Sequence, residues 1–371
     1  MASNSFGNIF RITTWGESHG PAVGVVIDGC PSNISINEDE INRELARRAP
    51  GVSGLVSPRK EPDKVEILSG VFEGKTTGAP ISLLIRNIDS KPSAYEPMKD
   101  LFRPGHAGFS YLKKYGIFDY QGGGRASARE TACRVAAGAI ASKVLSQFDI
   151  QIGAYLAALG SHTCLFEGSV EQLRKAQTKS AIFCPDISVE AQMTETITKL
   201  ISDGDSIGGQ VVCLVDNVPI GLGDPIYEKL EARLAFAMLS LPASKAFEIG
   251  EGVRACAMRG SEHNDLYEAT EGVTKPSSNH AGGVLAGIST GEQLNFKVTL
   301  KPASSIRKTQ KTTTLKGAPV EFSLPEGSRH DPCVAIRAVP VVEAMTALVL
   351  VDALMNSRQL IPSCGSVART H

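Results

Sequence analysis

Two histidines stand among glycines in separate segments of the chain, where they could take part in acid–base chemistry. Gly16–Gly20 (GESHG) contains Ser18 and His19, and Phe102–Gly108 (FRPGHAG) contains His106. An imidazole exchanges protons near neutral pH, and glycine lets the backbone approach a ligand closely. Ser18 and His19 do not suggest a serine hydrolase, because adjacent side chains rarely face each other and no G-x-S-x-G motif is present. A structural turn is the simpler interpretation of His19 alone, but two such histidines favour proton transfer.

A third segment, Asp119–Thr131 (DYQGGGRASARET), predicts an anion site. Three glycines precede Arg125, Ser127 and Arg129, which we place at the start of a helix. Free N–H groups and the positive end of the helix dipole attract anions, and arginines there oppose the dipole unless an anion lies between them. The segment is neither a Walker A loop nor a G-x-G-x-x-G fingerprint. The alternative is Ser127 as an N-cap, Glu130 as its capping-box partner, and solvated arginines.

Three further short segments collect similar side chains. They are Ser277–Gly283 (SSNHAGG), Lys301–Ser305 (KPASS) and Gly327–Cys333 (GSRHDPC). Each alone would be an ordinary turn. Together with the first three, they suit an enzyme whose small substrate carries phosphate and carboxylate groups.

The composition limits the other classes of function. With 38 Lys+Arg against 39 Asp+Glu, the net charge of −1 excludes a globally basic nucleic-acid binder. The eight cysteines show no zinc-ligand spacing, so we predict no metal site and reduced, buried thiols. The first twenty residues lack an apolar signal region, and no uninterrupted apolar run has the length of a bilayer span. We therefore expect a cytoplasmic protein without a membrane segment.

The elements that position these segments do not alternate as in a parallel α/β protein. We expect an α+β fold with antiparallel sheets covering helices. Residues 1–371 form a single domain in this interpretation, since no linker or repeat divides the chain. The predicted strands are Ala22–Asp28, Val65–Val71, Ile81–Ile85, Gln210–Asp216 and Leu294–Leu300. The predicted helices are Asn37–Arg48, Ala128–Gln147, Val189–Ser202, Tyr227–Ser240 and Val341–Met355. Polar segments without either period predict long, functional loops near 49–63, 89–110 and 302–331.

The motifs GESHG, RPGHA, GGGRxSARET, SNHAGG and RHDPC together resemble those of the chorismate synthase family, whose enzymes close the shikimate pathway. The resemblance extends from Gly7 to about Leu354. It implies a β-α-β sandwich, with helices packed between antiparallel sheets, assembled as a homotetramer. It also implies a lyase of aromatic amino acid biosynthesis. The reaction would convert 5-enolpyruvylshikimate 3-phosphate to chorismate and phosphate by a 1,4-anti elimination that requires reduced FMN.

The resemblance also implies roles for individual residues. His19 would protonate or hydrogen-bond the departing phosphate, and His106 would set the protonation of the flavin. Asp331 would help the N5 region of the flavin accept the proton lost from C6 of the substrate. The implied substrate-binding residues are Ser18, Arg48, Arg103, Ser127, Arg129 and Arg329. The implied FMN-binding residues are Arg125, Ala126, Ser127, Pro242, Ala243, Ala286, Lys301, Pro302, Ala303, Ser304, Ser305 and Arg329.

The chain departs from the family pattern at four positions. Gly54 stands where many members have an arginine, with Arg59 or Lys60 as alternative cations. A serine, an asparagine and a glycine common in the family are replaced by Ala126, Pro242 and Ala286. At the last two, contacts could be made by the backbone.

Two other classes of function stay open on the sequence. One is a flavin-independent phosphate lyase or phosphotransferase that uses the same anion pocket. The other is a silent ligand-binding protein, which the intact His19, His106 and Asp331 disfavour. Because the chain has no added reductase domain and no Rossmann fingerprint, we expect an external flavin reductase, with NADPH only as an indirect reductant.

Overall fold

The computed structural model of the protein describes residues 3–49, 54–56, 61–270, 273–324 and 331–357. The described strands are β1 (Ser5–Phe6), β2 (Arg11–Gly16), β3 (Ala22–Asp28), β4 (Val65–Ser69), β5 (Val71–Phe72), β6 (Lys75–Thr76), β7 (Ile81–Arg86), β8 (Gln151–Leu159), β9 (His162–Thr163), β10 (Gly209–Asp216), β11 (Ser244–Ile249), β12 (Tyr267–Thr270), β13 (Val273–Pro276), β14 (Val284–Leu285), β15 (Ile288–Ser289), β16 (Leu294–Leu300), β17 (Gln310–Thr313) and β18 (Pro319–Phe322). The described α-helices are α1 (Glu38–Arg48), α2 (Gly108–Tyr115), α3 (Thr131–Leu145), α4 (Val170–Ala176), α5 (Ile187–Asp203), α6 (Leu230–Leu239), α7 (Gly260–His263) and α8 (Val334–Asn356).

Two antiparallel five-stranded sheets form the outer layers. The first has the strand order β1-β2-β3-β7-β4, and the second has the order β11-β16-β10-β8-β9. β16 alternates buried and half-buried residues along its length, as its alternating sequence predicts. β10 lies between β16 and β8, and its central residues are buried.

Two central helices fill the space between the sheets. α3 packs against the first sheet, α8 packs against the second, and the two helices pack against each other. A Cβ atom on Gly138 of α3 would lie 2.6 Å from the Cα atom of Ala344 of α8, so the two backbones approach closely there. One hydrophobic cluster includes side chains of both sheets and of both helices. The predicted α+β sandwich, with helices between antiparallel sheets, is confirmed.

α8 is longer than the sequence predicts. It begins at Val334 instead of Val341 and contains Pro340 within its first two turns. Its 23 residues are long and apolar enough to cross a membrane by length and composition. However, 83% of its most apolar window is buried inside the protein. Buried core helices commonly meet the same criterion, so this finding is weak support for a membrane span.

Asp352 fastens the end of α8 to the beginning of the first sheet. Its carboxylate accepts hydrogen bonds from the backbone N–H groups of Asn8, Ile9 and Phe10, at 2.9, 2.7 and 3.0 Å. Asp352 is buried, and these three bonds provide the partners that a buried carboxylate requires. The end of α8 and residues 8–10 are therefore held together in the core.

Two of the three predicted loops contain regular structure and pack on each other. The segment 89–110 includes a 3₁₀ helix (Pro92–Met98), and the segment 302–331 includes the β17–β18 hairpin. The Phe102 N–H group donates to Thr313 O at 3.1 Å. Met98, Phe322 and Leu324 form a small apolar cluster between the two segments. Only part of the segment 49–63 lies within the described residues.

Candidate active site

The turn between β2 and β3 carries Ser18 and His19. Ser18 is 2% exposed, and its N–H group donates to Gly124 O at 3.3 Å. Its hydroxyl lies 3.1 Å from the hydroxyl of Ser127. The structure thus brings the predicted residues Ser18 and Ser127 into contact, although 109 positions separate them in the chain.

The His19 ring lies between Tyr95 and the glycine-rich segment. The edge of one ring faces the other, with 4.8 Å between the centroids of His19 and Tyr95. A Cβ atom on Gly122 would overlap with Nδ1 of His19. Tyr95 also lies under the guanidinium of Arg103, whose Cζ atom is 5.6 Å from the ring centroid. Tyr95 therefore joins the two histidine loops, a role that its isolated position in a polar segment did not reveal.

His106 lies beside Arg103 and close to Gly123. Arg103 Nη2 is 3.0 Å from Nε2 and 3.3 Å from Nδ1 of His106. A guanidinium has only donors, so the imidazole must present a lone pair to it. Burial, together with the positive charges of Arg103 and Lys301, lowers the pKa of His106 to about 3. The ring is therefore neutral at pH 7.

The three glycines make room for these side chains. Gly122, Gly123 and Gly124 have φ angles of +75°, +86° and +52°, which favour glycine. A Cβ atom on Gly123 would lie 2.6 Å from Cε1 of His106. The two imidazoles thus contact adjacent residues of one backbone segment.

This segment does not lead directly into the helix, which corrects the sequence interpretation. Two 3₁₀ turns, Gly124–Ala126 and Ala128–Glu130, precede the first residue of α3, Thr131. Ser127 caps the second turn by accepting a long hydrogen bond, 3.4 Å, from Arg129 N. Glu130 pairs with Arg134 instead of closing a capping box.

Arg129, one of the two arginines at the predicted anion site, pairs with a carboxylate of the protein itself. Asp63 is almost fully buried, accepts a 2.6 Å hydrogen bond from Arg48 Nη2, and also pairs with Nη1 of Arg129. Burial raises the pKa of Asp63, but the two guanidinium groups outweigh it and hold the pKa below its usual value. Arg48 is 1% exposed, and burial is the main reason that its pKa falls to about 10. The alternative of solvated arginines is therefore wrong for Arg129.

Arg125 is held by the first sheet. Its guanidinium donates to Thr14 Oγ1 at 2.7 Å, to Thr14 O at 3.1 Å and to Gly16 O at 3.2 Å. The charge is thereby fixed beside the C-terminal half of β2. Arg125 also lines two neighbouring cavities, so it can act on a bound group through its charge.

Asp331 and Arg337 lie on the other side of Arg48. Arg337 Nη1 donates to Asp331 Oδ2 at 2.9 Å, and its Nε donates to Arg48 O at 3.1 Å. A cavity of about 70 Å³ lies between these residues and Pro242. Arg48 is one of the residues that line this cavity, and its buried Nε has no hydrogen-bond acceptor among the described residues.

The Lys301–Ser305 turn lies against the His106 loop. Lys301 Nζ donates to Gly105 O at 3.0 Å, and Lys301 N donates to Ala243 O at 2.9 Å. A Cβ atom on Gly105 would lie 3.0 Å from that of Ser304. Within the same turn, Ala303 O accepts a hydrogen bond from Ser206 Oγ at 2.7 Å. The remaining predicted members of the turn are Pro302 and Ser305.

Ala286 lies elsewhere in the described chain. It forms the tip of the β14–β15 hairpin, where the next residue, Gly287, accepts a hydrogen bond from Leu230 N at the start of α6. Pro242 and Ala243 follow the end of this ten-residue helix, about 15 Å away along its axis. Arg329, Arg59 and Lys60 lie outside the described residues. Gly54 is exposed, with no described atom within 4 Å of the position of a Cβ.

Two larger cavities meet at Arg125 and Ala126. One, of about 420 Å³, is lined by His106, Asp119 and several aromatic side chains, and the other, of about 810 Å³, extends to Pro242. Tyr111 and Tyr115 of α2 line both. These volumes are typical of cofactor and substrate sites. Among the described residues, no group of three His, Cys, Asp or Glu side chains could hold a metal ion.

Comparison with known proteins shows the family of the chain. The family model for chorismate synthase matches residues 10–355. A chorismate synthase of Protochlamydia amoebophila (strain UWE25) is 58% identical over 96% of this chain and 99% of its own length. One of Opitutus terrae (strain DSM 11246 / JCM 15787 / PB90-1) is 51% identical over 98% of this chain and 99% of its length. A crystal structure of chorismate synthase superposes with a TM-score of 0.74 at 32% identity, covering 94% of this chain and 92% of the other. The chain belongs to the chorismate synthase family.

Proposed function

We propose that this enzyme of the shikimate pathway converts 5-enolpyruvylshikimate 3-phosphate to chorismate and phosphate, with reduced FMN bound. The family places the protein in aromatic amino acid biosynthesis. The observation that carries the proposed mechanism is the meeting of His19 and His106 on adjacent glycines, with the guanidinium of Arg103 beside His106. Proton donors and fixed positive charge at one place suit the removal of a phosphate group.

The substrate would be held by hydroxyl and guanidinium groups. Ser18 and Ser127 present two hydroxyls 3.1 Å apart, and Nε of Arg48 is a buried donor without an acceptor among the described residues. Because a buried donor left unpaired costs free energy, an anionic oxygen from the substrate would stabilise the site. Arg103, beside His106, would supply a further cation, as would Arg129 through its field.

His19 would donate a hydrogen bond or a proton to the departing phosphate. Charge develops on that group as the C–O bond breaks, and a positioned acid lowers the barrier for this step by stabilising it. Contacts with Tyr95 and Gly122 restrict the orientation of the His19 ring. The ring can therefore present a donor with little conformational cost.

The two larger cavities fit an FMN molecule in volume and lining. Tyr111 and Tyr115 offer flat apolar surface, and Lys114, Arg125 and Arg134 place positive charge around the larger cavity, where a phosphate could bind. Reduced FMN, when bound, supplies electron density to a reaction that has no net redox change. Of the implied FMN-binding residues, Arg125, Ala126 and Pro242 line these cavities. The others would have to reach the cofactor from neighbouring segments, and they are Ser127, Ala243, Lys301, Pro302, Ala303, Ser304 and Ser305.

His106 and Asp331 would manage protons on either side of the site. The low pKa of His106 leaves its ring neutral, so one nitrogen can accept a hydrogen bond. An anionic ligand paired with Arg103 would offset that positive charge and raise the proton affinity of the ring. The Asp331 carboxylate, fixed by Arg337, would stand beside the position from which C6 of the substrate loses its proton. Neither step needs a metal ion.

We also propose a cytoplasmic homotetramer supplied by an external flavin reductase. Exposed apolar side chains on and near α6, among them Tyr227, Phe236 and Leu239, offer surface that subunits could cover. Size-exclusion chromatography with light scattering measures the assembly. Turnover with NADPH and FMN, with and without an added reductase, tests the reductant.

The reaction is tested by anaerobic turnover with and without dithionite-reduced FMN, following chorismate and phosphate together. Equal amounts of both products, formed only with reduced flavin, are expected. Phosphate released without flavin would instead support the flavin-independent lyase or phosphotransferase. Absence of product, with FMN still bound, would support a silent binding protein.

The histidine roles are tested by His19→Ala and His106→Ala. We expect kcat to fall about 10²- to 10⁴-fold in each, the usual contribution of a positioned acid or base. His162→Ala is the matched control, because His162 in β9 contacts Thr196 Oγ1 of α5 at 2.9 Å, in a different part of the fold. Near-normal kcat in both site variants, with wild-type melting temperatures, would refute the roles.

A further inference from the structure

The turn that carries His19 is closed by a side chain from another strand end. Asn87 follows β7, and its Nδ2 donates to Glu17 O at 3.0 Å and to Gly20 O at 2.7 Å. These two carbonyls lie on either side of Ser18 and His19 in the chain. The Asn87 N–H group also donates to Pro21 O at 3.1 Å. One residue therefore holds both ends of the turn.

The orientation of the Asn87 amide is fixed by Arg129. Arg129 Nε donates to Asn87 Oδ1 at 2.8 Å, and Arg129 Nη2 donates to Arg86 O at 3.2 Å. A flipped amide would face the guanidinium with its NH₂ group and the two carbonyls with its oxygen, so that three contacts would become repulsive. The hydrogen bonds alone thus decide which way the amide points.

Arg129 is in turn fixed from the other side. Asp63, buried between Arg48 and Arg129, pairs with both guanidinium groups. Glu61 holds the backbone after Asn87 by accepting from the N–H groups of Ile88 and Asp89, at 3.0 and 3.2 Å. The amide is therefore attached to a rigid, buried framework and not to a free loop.

We propose that Asn87 is a positioning residue that holds the His19 imidazole in its productive place by fastening the Glu17–Gly20 turn to the Arg129–Asp63 pair. The proposal rests on the function proposed above, in which His19 acts on the departing phosphate. A displacement of about 1 Å at a reacting group can cost about 100-fold in rate. Asn87 itself need not touch the substrate.

Two substitutions distinguish the hydrogen bonds that Asn87 donates to the turn from the one that it accepts from Arg129. Asn87→Ala removes both the donors to the turn and the acceptor for Arg129. Asn87→Asp keeps the acceptor, removes the donors and adds a negative charge that pairs with Arg129. Asn217→Ala is the control, because the Asn217 amide also donates to a backbone carbonyl, Asp149 O at 2.9 Å, but at the far end of β10.

We expect kcat to fall about 100-fold in both Asn87 variants, with the KM for the substrate changed much less. In Asn217→Ala, kcat should stay within twofold of wild type. The chain has seven histidines, so ¹³Cε1-histidine labelling gives few signals, and His19→Ala assigns that of His19. The His19 signal should move in Asn87→Ala and stay unchanged in Asn217→Ala. A merely structural role would lower the melting temperature without moving that signal in the folded protein.

The outcomes distinguish this inference from the proposed function. If kcat were near normal in Asn87→Asp and fell only in Asn87→Ala, the loss would come from the missing acceptor for Arg129. That result would overturn the proposal that Asn87 positions the Glu17–Gly20 turn. An unmoved His19 signal in a folded Asn87→Ala would also overturn it. If Asn87→Ala does not fold, the kcat of Asn87→Asp decides. Normal kcat in His19→Ala would refute the proposed role of His19. The position of the His19 signal in Asn87→Ala would still test whether Asn87 holds the turn.

Discussion

Gly122 shows how a single missing side chain controls a neighbouring functional group. Its backbone has a φ angle of +75°, and its Cα faces the His19 ring so closely that a methyl group would overlap with the ring. The glycine is therefore needed twice, once for the left-handed backbone and once for the space. The sequence predicted only that Gly122 and the two glycines after it lead into a helix start that binds an anion.

Gly122→Ala should abolish most activity, and Gly116→Ala provides a matched control. Gly116 has the same φ angle, +75°, but no atom lies within 4 Å of the position of its Cβ. Both substitutions add the strain of a left-handed alanine, about 1 kcal/mol. Only Gly122→Ala displaces His19, and we expect its kcat to fall about 100-fold. Steady-state rates and melting temperatures of both variants test this, and equal rates in the two would contradict it.

Elements with a clear periodic pattern were predictable from the sequence. β3 and β16 have the predicted bounds, and α1 begins after Asn37, which forms a capping box with Glu40. β8 was missed because its sequence, QIGAYLAAL, is rich in alanine and glycine and is buried on both faces, so it has no alternation. The start of α8 was missed at Pro340, which usually ends or kinks a helix.

The residues of the candidate site also fall into two groups, those that the sequence predicts and those that it does not. Residues in glycine-rich motifs could be recognised locally, and the structure brings Ser18, Ser127 and His106 near one another. Asp63, Asn87 and Tyr95 could not, because each stands alone in a polar segment. Their contacts arise only when strand ends and loops distant in the chain pack together.

Gly138 tests the packing of the two central helices. Alanine there should improve helix propensity by about 1 kcal/mol, but its methyl group would collide with the Ala344 backbone. We expect net destabilisation of about 1–3 kcal/mol, typical of overpacking. Gly260→Ala in α7 is the control, because nothing lies within 4 Å of that position. Urea unfolding should show the loss only for Gly138→Ala, and a gain in both variants would refute close packing here.

At the scale of the whole molecule, the site depends on segments that come from both sheets. The His19 turn joins two strands of the first sheet, whereas Lys301 directly follows a strand of the second. His106 lies in a segment that contacts Lys301 through Gly105 O. The position of this histidine therefore depends on the complete fold, and so does its proton affinity.

The low pKa of His106 should make the free energy of unfolding depend on pH. An unfolded histidine has a pKa near 6.5, whereas in the fold burial and two nearby cations lower it to about 3. Between these values the unfolded chain binds a proton that the folded protein does not, so stability falls as the pH is lowered. We expect the free energy of unfolding to fall less steeply from pH 7 to pH 4.5 in His106→Gln, by at most about 1.4 kcal/mol per pH unit. Parallel curves for the two proteins would contradict this assignment.

The buried position of α8 also limits when the protein can fold during its synthesis. The Asp352 carboxylate binds N–H groups as many as 344 positions earlier in the chain, and α8 covers the inner face of the second sheet. At about 5–20 residues per second, a ribosome needs roughly 17 s or more to make the intervening chain. Until α8 has been made, the inner face of the second sheet lacks the helix that covers it. The nascent protein is therefore most prone to aggregation after the strands of the second sheet have been made and before α8 follows, and it is then that a chaperone would protect it.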